Sequence, residues 1–180
     1  LAASGEEVHD RFTQEQIQRF DRMSNHLSNA LGEQFQQHIL NSAGIERFPE
    51  AQYDMVRLGI GLHGIGSGPS LKAVSSFKTT ISQLRSVDAG ETLGYSRSGI
   101  TKQPSSIATI PVGYADGFHR SLGNGAGRVY VNGQLAPTIG EICMDMAMID
   151  VTGIKVSEGD TVELFGEQQA VTELARQAGT

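Results

Sequence analysis

The chain has 180 residues and a formal charge of −6, room for one ordinary domain or for pieces of two, and a sign that excludes a basic nucleic-acid surface. Hydrophobic residues make up 38% and charged ones 19%, which excludes a disordered chain, and no apolar run reaches the roughly 18 residues of a membrane span. The single cysteine, Cys143, excludes an internal disulfide framework and a cysteine-cluster metal site, and it fits a reducing cytoplasm. The opening Leu-Ala-Ala-Ser-Gly carries no turn or cap signal, and residues 173–180 stop just behind a helical pattern. The expectation is therefore a segment of a longer protein.

In chain order, Thr13-Gln14-Glu15-Gln16 has the spacing of a capping box, flanked by Phe12 and Ile17 as a hydrophobic staple. Ile17, Phe20, Met23, Leu27 and Leu31 then recur at three- and four-residue steps. The spacing predicts a helix with one apolar stripe, stopped by Gly32. A short apolar segment follows at 38–42, a compact helix at 49–55 with Pro49 at an early position, and a glycine-flanked apolar strand at 56–62. Helix, strand, helix, strand reads as βα units with a parallel sheet. Near Gly68-Pro69 the grammar changes. Phe77, Thr79 and Ile81 alternate with polar residues, and 107–112 reads as a further strand. Asn132-Gly133 suits a type I′ hairpin turn. Strands are expected at 144–151 and 160–165, and helical spacing returns at 171–175. An α/β part over 1–70 and a mostly antiparallel β-domain over 71–180 are thus expected, with no internal repeat.

Three clusters carry candidate chemistry. Asn41-Ser42 and Gly59-Ile60 each follow a predicted strand. A hydroxyl and free backbone N–H groups there make a phosphate site at the end of an α/β barrel, or else the glycines only permit close packing. Arg57 is a cation in an apolar stretch, so it is either paired structurally or faces a ligand, with His38 as a candidate neighbour or an ordinary core histidine. Gly113-Tyr114-Ala115-Asp116-Gly117 follows a strand and can present a hydroxyl at a domain edge, or simply turn the chain. A free phenol ionises near pH ~10, so a basic role calls for positive charge nearby. Cys143-Met144-Asp145 reads alone as core and surface alternation.

Together, and in this order, His38-Ile-Leu-Asn-Ser-Ala-Gly44, Val56-Arg-Leu-Gly-Ile60, Ala108-Thr-Ile-Pro-Val-Gly-Tyr-Ala-Asp-Gly117 and Ile142-Cys-Met-Asp145 resemble the alanine racemases. The likeness extends over nearly the whole chain. It implies the end of a TIM-type (β/α)8 barrel that binds pyridoxal 5′-phosphate, followed by the family's C-terminal β-domain, in a head-to-tail homodimer. By that resemblance Ser42 and the backbone of Gly59 and Ile60 hold the cofactor phosphate. Arg57 faces the pyridine nitrogen with His38 supporting it, and Asn41 and Asp145 support their neighbours. A guanidinium does not give up its proton, so that nitrogen stays unprotonated and the ring withdraws electrons less strongly. Tyr114 is implied as the base that takes the α-proton of L-alanine, and Met144 as a backbone contact to substrate. No metal is implied.

The resemblance also marks what these residues lack. None of Lys72, Lys78, Lys102 or Lys155 stands in the family's cofactor-lysine motif, which belongs upstream, so residues 1–180 alone are expected to be inactive. The 41–49 and 58–64 segments also resemble racemase domains fused behind a peptidoglycan-precursor ligase. The alternatives are a serine or broad-specificity racemase of the same build, a decarboxylase sharing its plan, or a non-catalytic dimerisation module. The Tyr-Ala-Asp-Gly and Cys-Met-Asp motifs speak against the decarboxylase.

Overall fold

The computed structural model describes residues 1–66 and 71–180. The chain divides into two compact units, Leu1–Val74 and Ser75–Thr180. The change of grammar at Gly68-Pro69 lies outside the described residues.

In the first unit, helix α1 (Asp10–Leu31) ends where the sequence predicts. Gly32 takes φ 69° and its N–H donates to the Ser28 carbonyl at 2.9 Å, a left-handed cap that costs glycine little. The start differs. A 3-10 turn (Glu7–His9) leads into α1 ahead of Thr13, so Thr13 is not a cap. It is buried within the helix, and its Oγ1 has no hydrogen-bond partner among the described residues. A capping box needs the free N–H groups of a first turn, and here that turn lies upstream. Along the stripe, Ile17 packs on a small core of Leu40, Phe48 and Ala51, whereas Met23 is 65% and Leu31 60% exposed.

Helix α2 (Ser42–Arg47) was not legible in the sequence. Its cap is Asn41, whose Oδ1 accepts from Gly44 N at 3.0 Å and from Ser4 Oγ at 2.7 Å. Arg47, at its last turn, holds both oxygens of Asp10 at 2.7 and 2.9 Å and donates to the Ser4 carbonyl at 2.7 Å. The helix expected at 49–55 shrinks to one 3-10 turn, Pro49–Ala51. Neither of the strands expected at 38–42 and 56–62 forms, and a 3-10 turn occupies Ile60–His63. The two segments nevertheless run side by side in the same direction. Asp54 N donates to Gln37 O (3.2 Å), Arg57 N to Leu40 O (3.0 Å) and Gly59 N to Ser42 Oγ (2.8 Å), at one constant separation of 17 residues. Two backbone bonds make neighbours of the segments but not a ladder, which needs evenly repeated pairing.

The second unit is antiparallel in every ladder among the described residues. Its strands are β1 (Phe77–Thr80), β2 (Gln83–Val87), β3 (Thr92–Leu93), β4 (Gly99–Ile100), β5 (Ser105–Ile110), β6 (Arg128–Val131), β7 (Gln134–Pro137), β8 (Ala147–Asp150) and β9 (Thr161–Phe165). One sheet has the order β1-β9-β6-β7, a second β2-β5-β8, and β3 pairs with β4. The β6–β7 hairpin turns at Asn132 (φ 49°) and Gly133 (φ 75°), as the type I′ reading requires. Inward residues of both sheets, among them Ile110, Val129, Val131, Ile149, Val162 and Leu164, form one core. Helix α3 (Val171–Ala178) covers it through Leu174.

The β5–β8 register matters most for function. Ile110 lies opposite Ala147, so the loop leaving β5 and the loop entering β8 emerge at the same edge of the sheet. Both sequence motifs of this unit sit on those loops.

Candidate active site

The two loops are stitched together through backbone. Tyr114 N donates to Cys143 O at 3.0 Å and Ala115 N to Met144 O at 2.9 Å. The approach is so close that a Cβ on Gly113 would run into the carbonyls of Cys143 and Met144. This explains the glycine, since φ at Gly113 is −142°, a value any residue adopts. The Asp116 carboxylate accepts from Gly113 N at 3.0 Å and closes the loop from within. Gly117, at φ 91°, then turns the chain so that Phe118 can bury itself in the core. Across the contact, Cys143 N donates to Met146 O at 2.9 Å, which closes the second loop.

What this frame presents is a tyrosine and a strip of main chain. Tyr114 is 40% exposed. The Arg120 guanidinium lies over its ring, 5.8 Å from the centroid, and Arg120 is held in turn by Glu141 at 3.1 Å. Met144 is 59% exposed; its carbonyl is taken by Ala115, while its N–H has no partner among the described residues. Asp145 is exposed beside it. The Cys143 thiol is pushed up, first by burial and then by Asp145 and Glu141, with Arg120 opposing. It is a poor nucleophile in this setting.

The first unit gathers a different set. Ser42 Oγ accepts from Gly59 N at 2.8 Å and from Gly61 N at 3.1 Å, which joins the start of α2 to the 59–61 turn. With its lone pairs engaged, the hydroxyl proton is free to donate outward. Gly59 and Ile60 are exposed at this point. Among the described residues the Ser42 hydroxyl proton and the Ile60 N–H are left open, and such donors suit an anion such as a phosphate monoester. The sequence expectation of Arg57 inside a strand is corrected: its backbone pairs with Leu40, but the side chain is exposed and unpaired among the described residues. His38 is exposed as well and makes no hydrogen bond to Arg57. Asn41 supports Ser42 as the cap of the same helix. Sequence reading named neither Arg120 nor Glu141. The one available signal was a cation six residues beyond the tyrosine, and nothing local ties it to the ring.

The described residues make a two-part protein, a mainly helical unit and an antiparallel β-domain. Residues 1–67 match the model of the alanine racemase N-terminal domain and residues 74–180 that of the alanine racemase C-terminal domain. The chain belongs to the alanine racemase family. It is 39% identical over 185 residues to an alanine racemase of Clostridium tetani, covering 98% of this chain and 48% of that protein. It is 42% identical over 191 residues to one of Syntrophobacter fumaroxidans, covering 99% and 50%. Among solved structures it resembles the alanine racemase of Bartonella henselae with covalently bound pyridoxal phosphate, with TM-score 0.88 and 36% identity over 100% of this chain and 50% of that one. A Clostridium difficile alanine racemase in complex with cycloserine gives TM-score 0.89 at 32% identity, again over 100% and 50%. The chain thus spans about half the length of the curated relatives it matches.

Proposed function

We propose that this chain is part of a pyridoxal-phosphate-dependent alanine racemase, which interconverts L- and D-alanine and so supplies D-alanine for peptidoglycan. Residues 1–70 then complete the cofactor-binding barrel, and 71–180 form the β-domain that carries Tyr114. The observation that carries this reading is the convergence of the Tyr114 and Met144 loops at one edge of the β5–β8 ladder.

Ser42 Oγ and the Gly59 and Ile60 backbone would hold the cofactor phosphate, a role supported by the outward-free Ser42 hydroxyl proton and the open Ile60 N–H, with Gly59 N exchanging its bond to Ser42 Oγ for the phosphate. The Arg57 guanidinium, unpaired among the described residues, would face the pyridine nitrogen and, unable to lose its proton, leave that nitrogen without one, with His38 alongside. Bound pyridoxal phosphate supplies an electron-withdrawing ring that acidifies the α-C–H of the amino acid joined to it. Tyr114 takes that proton from L-alanine at its phenol oxygen, and returns one to the same face in the reverse direction. The open N–H of Met144 orients the substrate carboxylate. Inversion at one carbon requires a second base on the opposite face, a lysine that residues 1–180 do not offer in the family's motif. Lys78, for one, is paired with Glu163 at 3.3 Å.

The protein works as a homodimer in which the Tyr114 loop enters the partner's barrel. Its place is the cytoplasm, which the single unpaired cysteine suits. The test is turnover of alanine, serine and lysine by the full-length protein with added pyridoxal phosphate, followed by chiral chromatography. Alanine should dominate; faster turnover of serine or lysine would move the assignment to a broader racemase, and no turnover of any would overturn it.

A further inference from the structure

Among the described residues, Arg120 is the charged side chain seated on the Tyr114 ring. Its guanidinium lies 5.8 Å from the Tyr114 ring centroid, and its Nη2 donates to Glu141 Oε2 at 3.1 Å. Both supports are firm. Arg120 stands between the buried Phe118 and Leu122 on a 3-10 turn, with Leu122 N bonded to His119 O at 3.0 Å. That turn is tied to α3 through Ser121 Oγ and Ala178 O at 2.8 Å. Glu141 stands between the buried Ile142 and Gly140, at φ 72° with its Cβ site packed on Leu93 O. The cation is therefore held over the ring from two sides, from the loop that carries Tyr114 and from the loop that carries Met144.

We propose that Arg120, braced by Glu141, is a positioning residue for Tyr114: it covers one ring face, fixes the direction of the phenol oxygen and keeps a permanent positive charge over the ring. This rests on Tyr114 acting as a base. An arginine suits the role because it stays charged at every working pH and offers a flat face to the ring. Glutamate is the brace because a forked donor left alone on an exposed turn would sample many rotamers.

The test uses the full-length protein and three substitutions. Arg120→Met keeps the stem against the ring and removes the charge; Arg120→Lys restores a charge; Glu141→Gln loosens the brace. With Arg120→Met, kcat should fall about tenfold in both directions, with KM for alanine and cofactor absorbance unchanged. Arg120→Lys should recover most of the loss, and Glu141→Gln should lie between. Independently of activity, a [ζ-13C]tyrosine resonance assigned to Tyr114 should shift in Arg120→Met and return toward its original position in Arg120→Lys. Wild-type kcat and an unmoved resonance in Arg120→Met would overturn the proposal, as would a Lys variant no better than Met. Tyr114→Phe run in parallel separates the two ideas. If it is slow while Arg120→Met is normal, only the positioning role falls; if it is itself normal, the assignment of Tyr114 falls first.

Discussion

Gly113→Ala probes the joint between the two loops directly. The added methyl meets the Cys143 and Met144 carbonyls, backbone atoms that cannot rotate away. Because φ is −142°, no backbone strain is added and the cost is steric alone. Overpacking of this kind costs about 1–3 kcal/mol. Forcing the loops apart also weakens the Tyr114 N to Cys143 O and Ala115 N to Met144 O bonds, each worth about 1 kcal/mol. The total is about 3 kcal/mol, and at roughly 4–8 °C per kcal/mol for a domain near 100 residues the melting temperature should drop by about 15 °C. Thermal unfolding followed by far-ultraviolet circular dichroism reads this, and amide exchange at Tyr114 and Ala115 should accelerate in the variant. A drop of less than about 3 °C with unchanged protection would refute a tight joint, because the loops would then yield at little cost.

Other expected outcomes follow from single contacts. Ser42→Ala leaves Gly59 N and Gly61 N without their acceptor; urea unfolding should show a loss of about 1–3 kcal/mol, and in the full-length protein a pyridoxal-phosphate titration should show weaker binding. Thr138→Val removes a buried hydroxyl that donates to Leu122 O and accepts from Gly125 N, and chemical denaturation should register about 2 kcal/mol. The Glu173 carboxyl is held at about 2 by Arg176 and Gln177, below its unfolded value near ~4.3. Its contribution is therefore complete above pH ~4.5 and fades as pH falls toward ~2. The melting-temperature gap between the parent and Glu173→Gln should close over that window, and a gap constant with pH would exclude the pairing.

Where one segment determines its own geometry, the sequence was readable. Gly32 stops α1 and Asn132-Gly133 turns the β6–β7 hairpin because each needs only its own positive φ. The strand at 77–80 follows from alternation, and the strand expected at 160–165 forms over 161–165. What stayed hidden depends on distant partners. Thr13 had the spelling of a cap, but the residues before it already continue the helix, and spelling does not reveal where a helix nucleates. Strand β2 carries Arg85 and Ser86 in place of clean alternation, and it is held by pairing with β5. The 38–42 and 56–62 segments have strand composition but make too few cross-chain bonds to form a ladder. At the site, the tyrosine loop and the Cys-Met-Asp loop were each visible as motifs. Their contact follows from the Ile110–Ala147 register, which no local pattern encodes, and the Arg120–Glu141 brace depends on the same register.

The proposed role of Tyr114 as the base for L-alanine is tested most directly by the rate of racemisation in each direction by full-length Tyr114→Phe. The ring and its seat under Arg120 remain, while the phenol oxygen is gone. Cofactor absorbance should be retained and racemisation should slow by about 10²-fold or more. Wild-type rates in both directions would remove Tyr114 from the mechanism.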